Sequence, residues 1–120
     1  MSNVKKFNYT INNLFEDLIT LYPDNKLFII NQEKFNMLIK YNVKKVMNEF
    51  YNYLYKYKNE ILNKNDIFFL EKICQIDNKS NLNKLMNLKD IWVNLNNENK
   101  ETVWLYFQVL IALVEKEYSS

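Results

Sequence analysis

VWLYFQVLIALV, residues 103–114, is the stretch that decides the fold of this chain. Only Gln108 is clearly polar within it, so on a helix the apolar side chains would point in every direction. This pattern predicts a central helix that the rest of the chain surrounds. The run is too short to cross a membrane, which takes about 20 apolar residues. The alternative interpretation is that one face of the helix is a surface for a partner or for self-association.

The segments before this helix also predict helices. The chain has no Gly and only Pro23, so it lacks the turn residues that punctuate all-β folds. Apolar residues from Phe7 to Leu21 follow helical spacing, and Pro23 should end this helix near Tyr22. LFII (27–30) is predicted to be a non-helical connector that packs on the core. A long helical pattern then runs from Gln32 to Ile61, with a possible break at Tyr41-Asn42.

The remaining segments complete a helical domain. NKND (63–66) reads as a connection, IFFLEKICQI (67–76) as a shorter helix, DNKSNLNKLMN (77–87) as a loop and LKDIWVNL (88–95) as a short helix. Asn96 or Asn97 should cap the last helix. We therefore predict one all-α domain over residues 1–120, an irregular bundle of about five helices around a buried C-terminal helix.

The composition excludes several kinds of chemistry. The chain has no His, no Gly and a single Cys74, which we interpret as a small buried hydrophobe. A Cys/His zinc site, a His-based catalytic triad and a glycine-rich phosphate loop therefore cannot be assembled. No carboxylates stand at a spacing typical of a metal or acid/base site. The sequence predicts a protein that is not an enzyme and that uses no cofactor, metal or small-molecule substrate.

The stretch FYNYLYKYK, residues 50–58, carries five aromatic rings and two lysines. Its alternating tyrosines resemble a strand, but both flanking segments continue a helical period, so we interpret it as helix. Tyr51 and Tyr55 then lie together on one flank. With the lysines around them they form a surface that we call the Tyr/Lys flank: Lys44, Lys45, Tyr51, Tyr55, Lys56 and Lys58.

The Tyr/Lys flank has two interpretations. Tyr commonly packs its ring at the edge of a core while its hydroxyl stays in water. Alternatively, the rings could stack on the bases of a nucleic acid strand, with the lysines facing phosphates. The net charge of only +2 and the absence of Arg favour the first interpretation. Trp92 and Trp104 likewise fit either a core or an interface, and we favour the core.

Three blocks of the chain resemble a family of small helical proteins of large nucleocytoplasmic DNA viruses, the mimivirus-like and phycodnavirus-like groups. The blocks are residues 15–26, 50–70 and 88–115, and the last is the specific one. The matching positions are Phe15, Tyr22-Pro23, Phe50-Tyr51, Tyr57, Ile61, Phe68-Phe69, Ile91-Trp92, Leu95, Lys100, Val103-Trp104, Tyr106, Gln108 and Leu110. The chain departs from the pattern at Asn65, where the family has Lys, and at Val103 and Phe107, where it has Ile and Leu.

The resemblance implies a viral source and no mechanism. It implies a place in the host cytoplasm during infection or in the virion, and the N-terminus MSNVKKFNYT lacks the long apolar stretch of a secretion signal. We expect a non-catalytic viral helical protein that serves as an interaction or structural module and binds a protein or itself. The alternative is a nucleic-acid-associated protein that uses residues 44–58.

Overall fold

The computed structural model describes residues 1–71 and 92–119 of the chain. In these residues the structure is helical and contains no β-strand, which confirms the all-α prediction. The elements are α1 (Asn3–Leu21), α2 (Lys26–Tyr41), α3 (Lys45–Leu54), a 3₁₀ turn (Tyr55–Tyr57), α4 (Lys58–Leu62), α5 (Asp66–Glu71) and α6 (Asn97–Tyr118). Trp92 and Val93 are also helical. The predictions for Cys74 and for the loop 77–87 lie outside the described residues.

A capping side chain sets the start of helix α1, and a proline sets its end. The Ser2 side chain accepts a hydrogen bond from the Lys5 N–H at 3.1 Å and so caps the first turn. The helix ends at Leu21, and Tyr22 leaves the helical conformation before Pro23. The predicted end of this helix is confirmed.

The prediction that LFII (27–30) is a connector is wrong, because these residues lie in the first turns of α2. The Asn25 side chain accepts a hydrogen bond from the Leu27 N–H at 3.1 Å and starts the helix at Lys26, not near Gln32. Phe28 is nevertheless fully buried, so the expected packing on the core is correct for this residue, whereas Ile29 and Ile30 are exposed. The predicted break is also correct, because α2 ends at Tyr41 and α3 begins at Lys45.

The stretch 50–58 is helical, as its flanks predicted. It spans the end of α3, the 3₁₀ turn and the first residue of α4. Phe50, Leu54 and Ile61 are all buried, which places the predicted apolar face against the core.

Helix α6 is the centre of the bundle and lies between α1 and α4. It runs antiparallel to α1, because Asn3 approaches Glu117 at one end and Asn99 donates a hydrogen bond to the Tyr22 hydroxyl at 2.7 Å at the other. In the core, Phe50 meets the rings of Phe7 and Phe107 edge-on. The predicted buried C-terminal helix is confirmed.

Candidate interaction surfaces

Among residues 1–71 and 92–119, no element covers one face of α6, although the helix is the centre of the core. Its exposed residues recur at helical spacing and form what we call the α6 stripe: Glu101, Leu105, Val109, Ala112 and Lys116. Leu105 is 51% exposed and Val109 is 49% exposed. The predicted buried helix is therefore covered around most of its circumference and is exposed along this stripe.

The α6 stripe is bordered by α1 on one side. Beside it, the Tyr106 hydroxyl donates a hydrogen bond to the Asp17 carboxylate and ties the two helices together. A shallow groove along this border includes Tyr9, Leu105 and Val109 among its lining residues. Because Tyr9 is also well exposed, this border adds an aromatic ring to the apolar surface.

Helix α4 forms the other border of the α6 stripe. Gln108 donates a side-chain hydrogen bond to the Leu62 carbonyl at 3.3 Å, and the Lys64 ammonium pairs with Glu101. The Leu62 side chain is itself exposed. The stripe is therefore an apolar strip between two helices, with charged residues at both of its ends.

Burial raises the pKa of Tyr106 to about 12, and the hydrogen bond to Asp17 contributes to the increase. Burial disfavours the charged phenolate, and the nearby carboxylate disfavours it further. The Tyr106 hydroxyl therefore stays protonated at neutral pH and remains the donor to Asp17. Its role here is to hold α1 against α6 along the groove.

The tyrosine rings of the Tyr/Lys flank contact other aromatic rings of the same chain. Tyr51 stacks on Tyr118, with ring centres 4.1 Å apart and an angle of 10° between the ring planes. Tyr51 also meets Tyr55 at 5.4 Å. Tyr118 lies at the end of α6, far along the sequence, so no local pattern around residues 50–58 could have indicated that it covers the flank.

The lysines of the flank are paired as well. Lys44 contacts Glu117 at 3.1 Å and Lys58 contacts Glu115 at 2.8 Å, and in each case the hydrogen bond to the carboxylate raises the pKa of the ammonium. Helix α6 thus supplies carboxylates to both ends of the flank.

The two other lysines of the flank also have close neighbours. Lys45 lies 3.3 Å from the Glu49 carboxylate, one helical turn away, and the Lys56 ammonium lies 5.2 Å from the centre of the Tyr57 ring. A nucleic acid strand would have to displace the Tyr118 ring and compete with the carboxylates of α6. This arrangement favours the interpretation of the flank as the edge of the core.

The structure places both tryptophans in the core. Trp92 and Trp104 are buried and meet edge-to-face with ring centres 5.0 Å apart. The Lys100 ammonium lies 5.3 Å from the centre of the Trp92 ring. Their inclusion among the candidate surface residues is therefore corrected, and the core interpretation that we favoured replaces it.

The described parts of the chain bring together no group of three or more His, Cys, Asp or Glu side chains that could hold a metal ion. Across residues 1–71 and 92–119, none of the helices is long and apolar enough to span a membrane. Comparisons with protein-family models, curated proteins and solved structures found no match to this chain. The resemblance to the viral helical family therefore stays a prediction.

Proposed function

We propose that this chain is a non-catalytic helical protein that acts by binding a protein, either another chain or a second copy of itself. The observation that carries the proposal is the exposure of Leu105 and Val109 in the middle of the central helix. Single exposed apolar residues are normal on a protein surface, whereas a contiguous apolar strip marks a binding surface. Here two large apolar residues lie one helical turn apart, with Ala112 continuing the strip.

The borders of the α6 stripe support the same proposal. Tyr9 on α1 and Leu62 on α4 extend the apolar surface to both sides. Aromatic and apolar side chains at the centre with polar groups around them are the usual composition of a protein interface. The viral source and the place in the host cytoplasm or the virion that the resemblance implies are the setting in which we propose that this binding occurs.

The proposal is tested by a pull-down of the tagged chain from expressing cells, with and without nuclease, followed by mass spectrometry. Leu105→Glu places a charge in the strip, and Met37→Glu makes the same change at an exposed position on α2. We expect a protein that the native chain and Met37→Glu recover equally, that Leu105→Glu loses, and that nuclease does not release. Thermal unfolding of both variants checks that each is folded.

Two results would contradict the proposal. Equal recovery by Leu105→Glu and Met37→Glu would show that the stripe is not the binding surface. Loss of recovered protein after nuclease treatment would identify nucleic acid as the tether and return attention to the Tyr/Lys flank.

A further inference from the structure

The two ends of the α6 stripe carry opposite charges. Glu101 lies at the end nearest the N-terminus of the helix, and Lys116 lies at the other end. Both are exposed, and Leu105, Val109 and Ala112 lie between them. At 1.5 Å per residue the two charges are about 22 Å apart along the helix axis. The stripe therefore has an acidic end, an apolar middle and a basic end.

This order is self-complementary when two copies of α6 meet antiparallel. The midpoint of residues 101 and 116 lies between residues 108 and 109. The midpoint of residues 105 and 112 lies at the same place. In one register, Glu101 of each copy therefore faces Lys116 of the other, and the large Leu105 faces the small Ala112. Val109 then meets its own copy close to the two-fold axis. Both charge pairs and both apolar pairs form in the same register.

We infer that the α6 stripe is the contact face of a two-fold symmetric homodimer, in which α6 packs antiparallel against α6 of a second copy. The inference rests on the proposed function and names the partner as this chain itself. A two-fold interface uses the same surface on both subunits, so it requires a surface that complements itself. The charge order of the stripe meets this requirement, whereas a parallel pairing would place like charges together.

The charges at the borders are compatible with this register. Glu101 already pairs with Lys64 of its own chain, but Glu98, exposed one helical turn before it, keeps this end acidic, and a carboxylate has acceptor sites for two ammonium groups. Near the basic end, Lys58 and Glu115 pair with each other and leave no net charge beside Lys116.

The dimer is tested by sedimentation equilibrium of the full chain over a range of concentrations at low salt. Glu101→Lys and Lys116→Glu each place like charges at both ends of the two-fold interface. We expect a reversible dimer of the native chain, and each variant should weaken it by roughly tenfold, the effect of reversing two exposed pairs. An equimolar mixture of the two variants should recover native affinity, because every facing pair is then again of opposite charge.

Matched controls make the same charge changes on α2. Glu33→Lys and Lys40→Glu are exposed there, and we expect both to leave the dimer unchanged. Thermal unfolding checks that all variants are folded. A native chain that is monomeric at every concentration would overturn the inference. A dimer whose affinity is unchanged in Glu101→Lys and Lys116→Glu would also overturn it. The same holds if the equimolar mixture of these two variants fails to recover native affinity.

The failure of this inference is distinguishable from the failure of the proposed function. If the native chain is monomeric but Leu105→Glu still abolishes recovery of a protein in the pull-down, the homodimer is overturned and the proposed function stands. If the chain is monomeric and Leu105→Glu changes nothing, both are overturned.

Discussion

At the scale of single residues, Lys64 has a backbone conformation that usually belongs to glycine. Its φ of 54° lies in the left-handed region, directly after α4. The Asn65 N–H bonds to the Glu60 carbonyl at 3.1 Å and the Lys64 N–H to the Ile61 carbonyl at 3.2 Å, which is the Schellman pattern at a helix end. A side chain in this conformation costs about 1 kcal/mol. Because the chain has no Gly, a lysine takes this position, and the free energy of unfolding is lower by this amount.

We predict that Lys64→Gly raises the free energy of unfolding by about 0.5–1 kcal/mol, because Gly adopts the left-handed conformation without a steric penalty. Urea unfolding followed by circular dichroism measures the change. Lys64→Ala is the matched control, since it also removes the ion pair with Glu101 but keeps the penalty. A Gly variant no more stable than the Ala variant would show that this turn is unstrained.

Tyr106 gives a prediction on alkaline stability. Burial raises its pKa from 10.0 to about 12, so the folded state holds this proton more tightly than the unfolded state does. Its stabilising contribution is therefore complete below pH 10 and is lost as the pH rises toward 12. Absorbance titration of the native chain should show a tyrosine that ionises near pH 12, and Tyr106→Phe should remove that step.

The control for this titration is Tyr41→Phe, because Tyr41 is 88% exposed on α2. We expect the step near pH 12 to persist in this variant. We also expect the native chain to lose more stability than Tyr106→Phe between pH 10 and 12. Identical titration curves for the native chain and Tyr106→Phe would contradict the assignment.

At the scale of elements, the start of α6 depends on one capping side chain. The sequence left Asn96 and Asn97 as alternatives, and the structure selects Asn96, whose side chain accepts a hydrogen bond from the Asn99 N–H at 2.8 Å. We predict that Asn96→Ala lowers the free energy of unfolding by about 1 kcal/mol. Asn97→Ala should have little effect, because Asn97 is the first residue inside the helix. Denaturant unfolding of both variants tests the prediction, and equal losses would refute it.

Helix boundaries were predictable where a single local signal dominates. Pro23 ends α1 and an Asn begins α6, and both were read from the sequence. The start of α2 was missed because its buried face is Phe28, Asn31 and Phe35. A polar residue at a buried position interrupts the apolar period, so the sequence pattern indicates LFII as a separate apolar segment.

At the scale of the whole molecule, the contacts that define the candidate surfaces join distant parts of the chain. Tyr118 stacks on Tyr51, and Tyr106 bonds to Asp17. No spacing rule connects such residues, so the sequence could indicate a Tyr/Lys flank but not that Tyr118 covers it. The open side of α6 was equally inaccessible to prediction. Its apolar residues look alike in the sequence, and only the placement of α1 and α4 decides which of them are exposed.

We predict that α1 and α6 form the most stable unit of the fold. Each packs its length against the other, whereas α4 has five residues and a single buried side chain, Ile61. In native-state hydrogen exchange, amides of Ile11 and Leu110 should exchange with the same free energy, and those of α4 at least tenfold faster. Exchange of α4 at the rate of α6 would show that the whole chain opens as one unit.

The central position of α6 also has a consequence for synthesis on the ribosome. The first helix, with Phe7 and Phe15 on its buried face, is made before the helix that covers it. At the usual pace of translation the delay is on the order of ten seconds. During that interval Phe7 and Phe15 can meet Phe50 of α3 and Phe35 of α2, but the side of α1 that α6 covers stays exposed, and such a surface is what chaperones at the tunnel exit bind. The core closes only when the last helix has emerged.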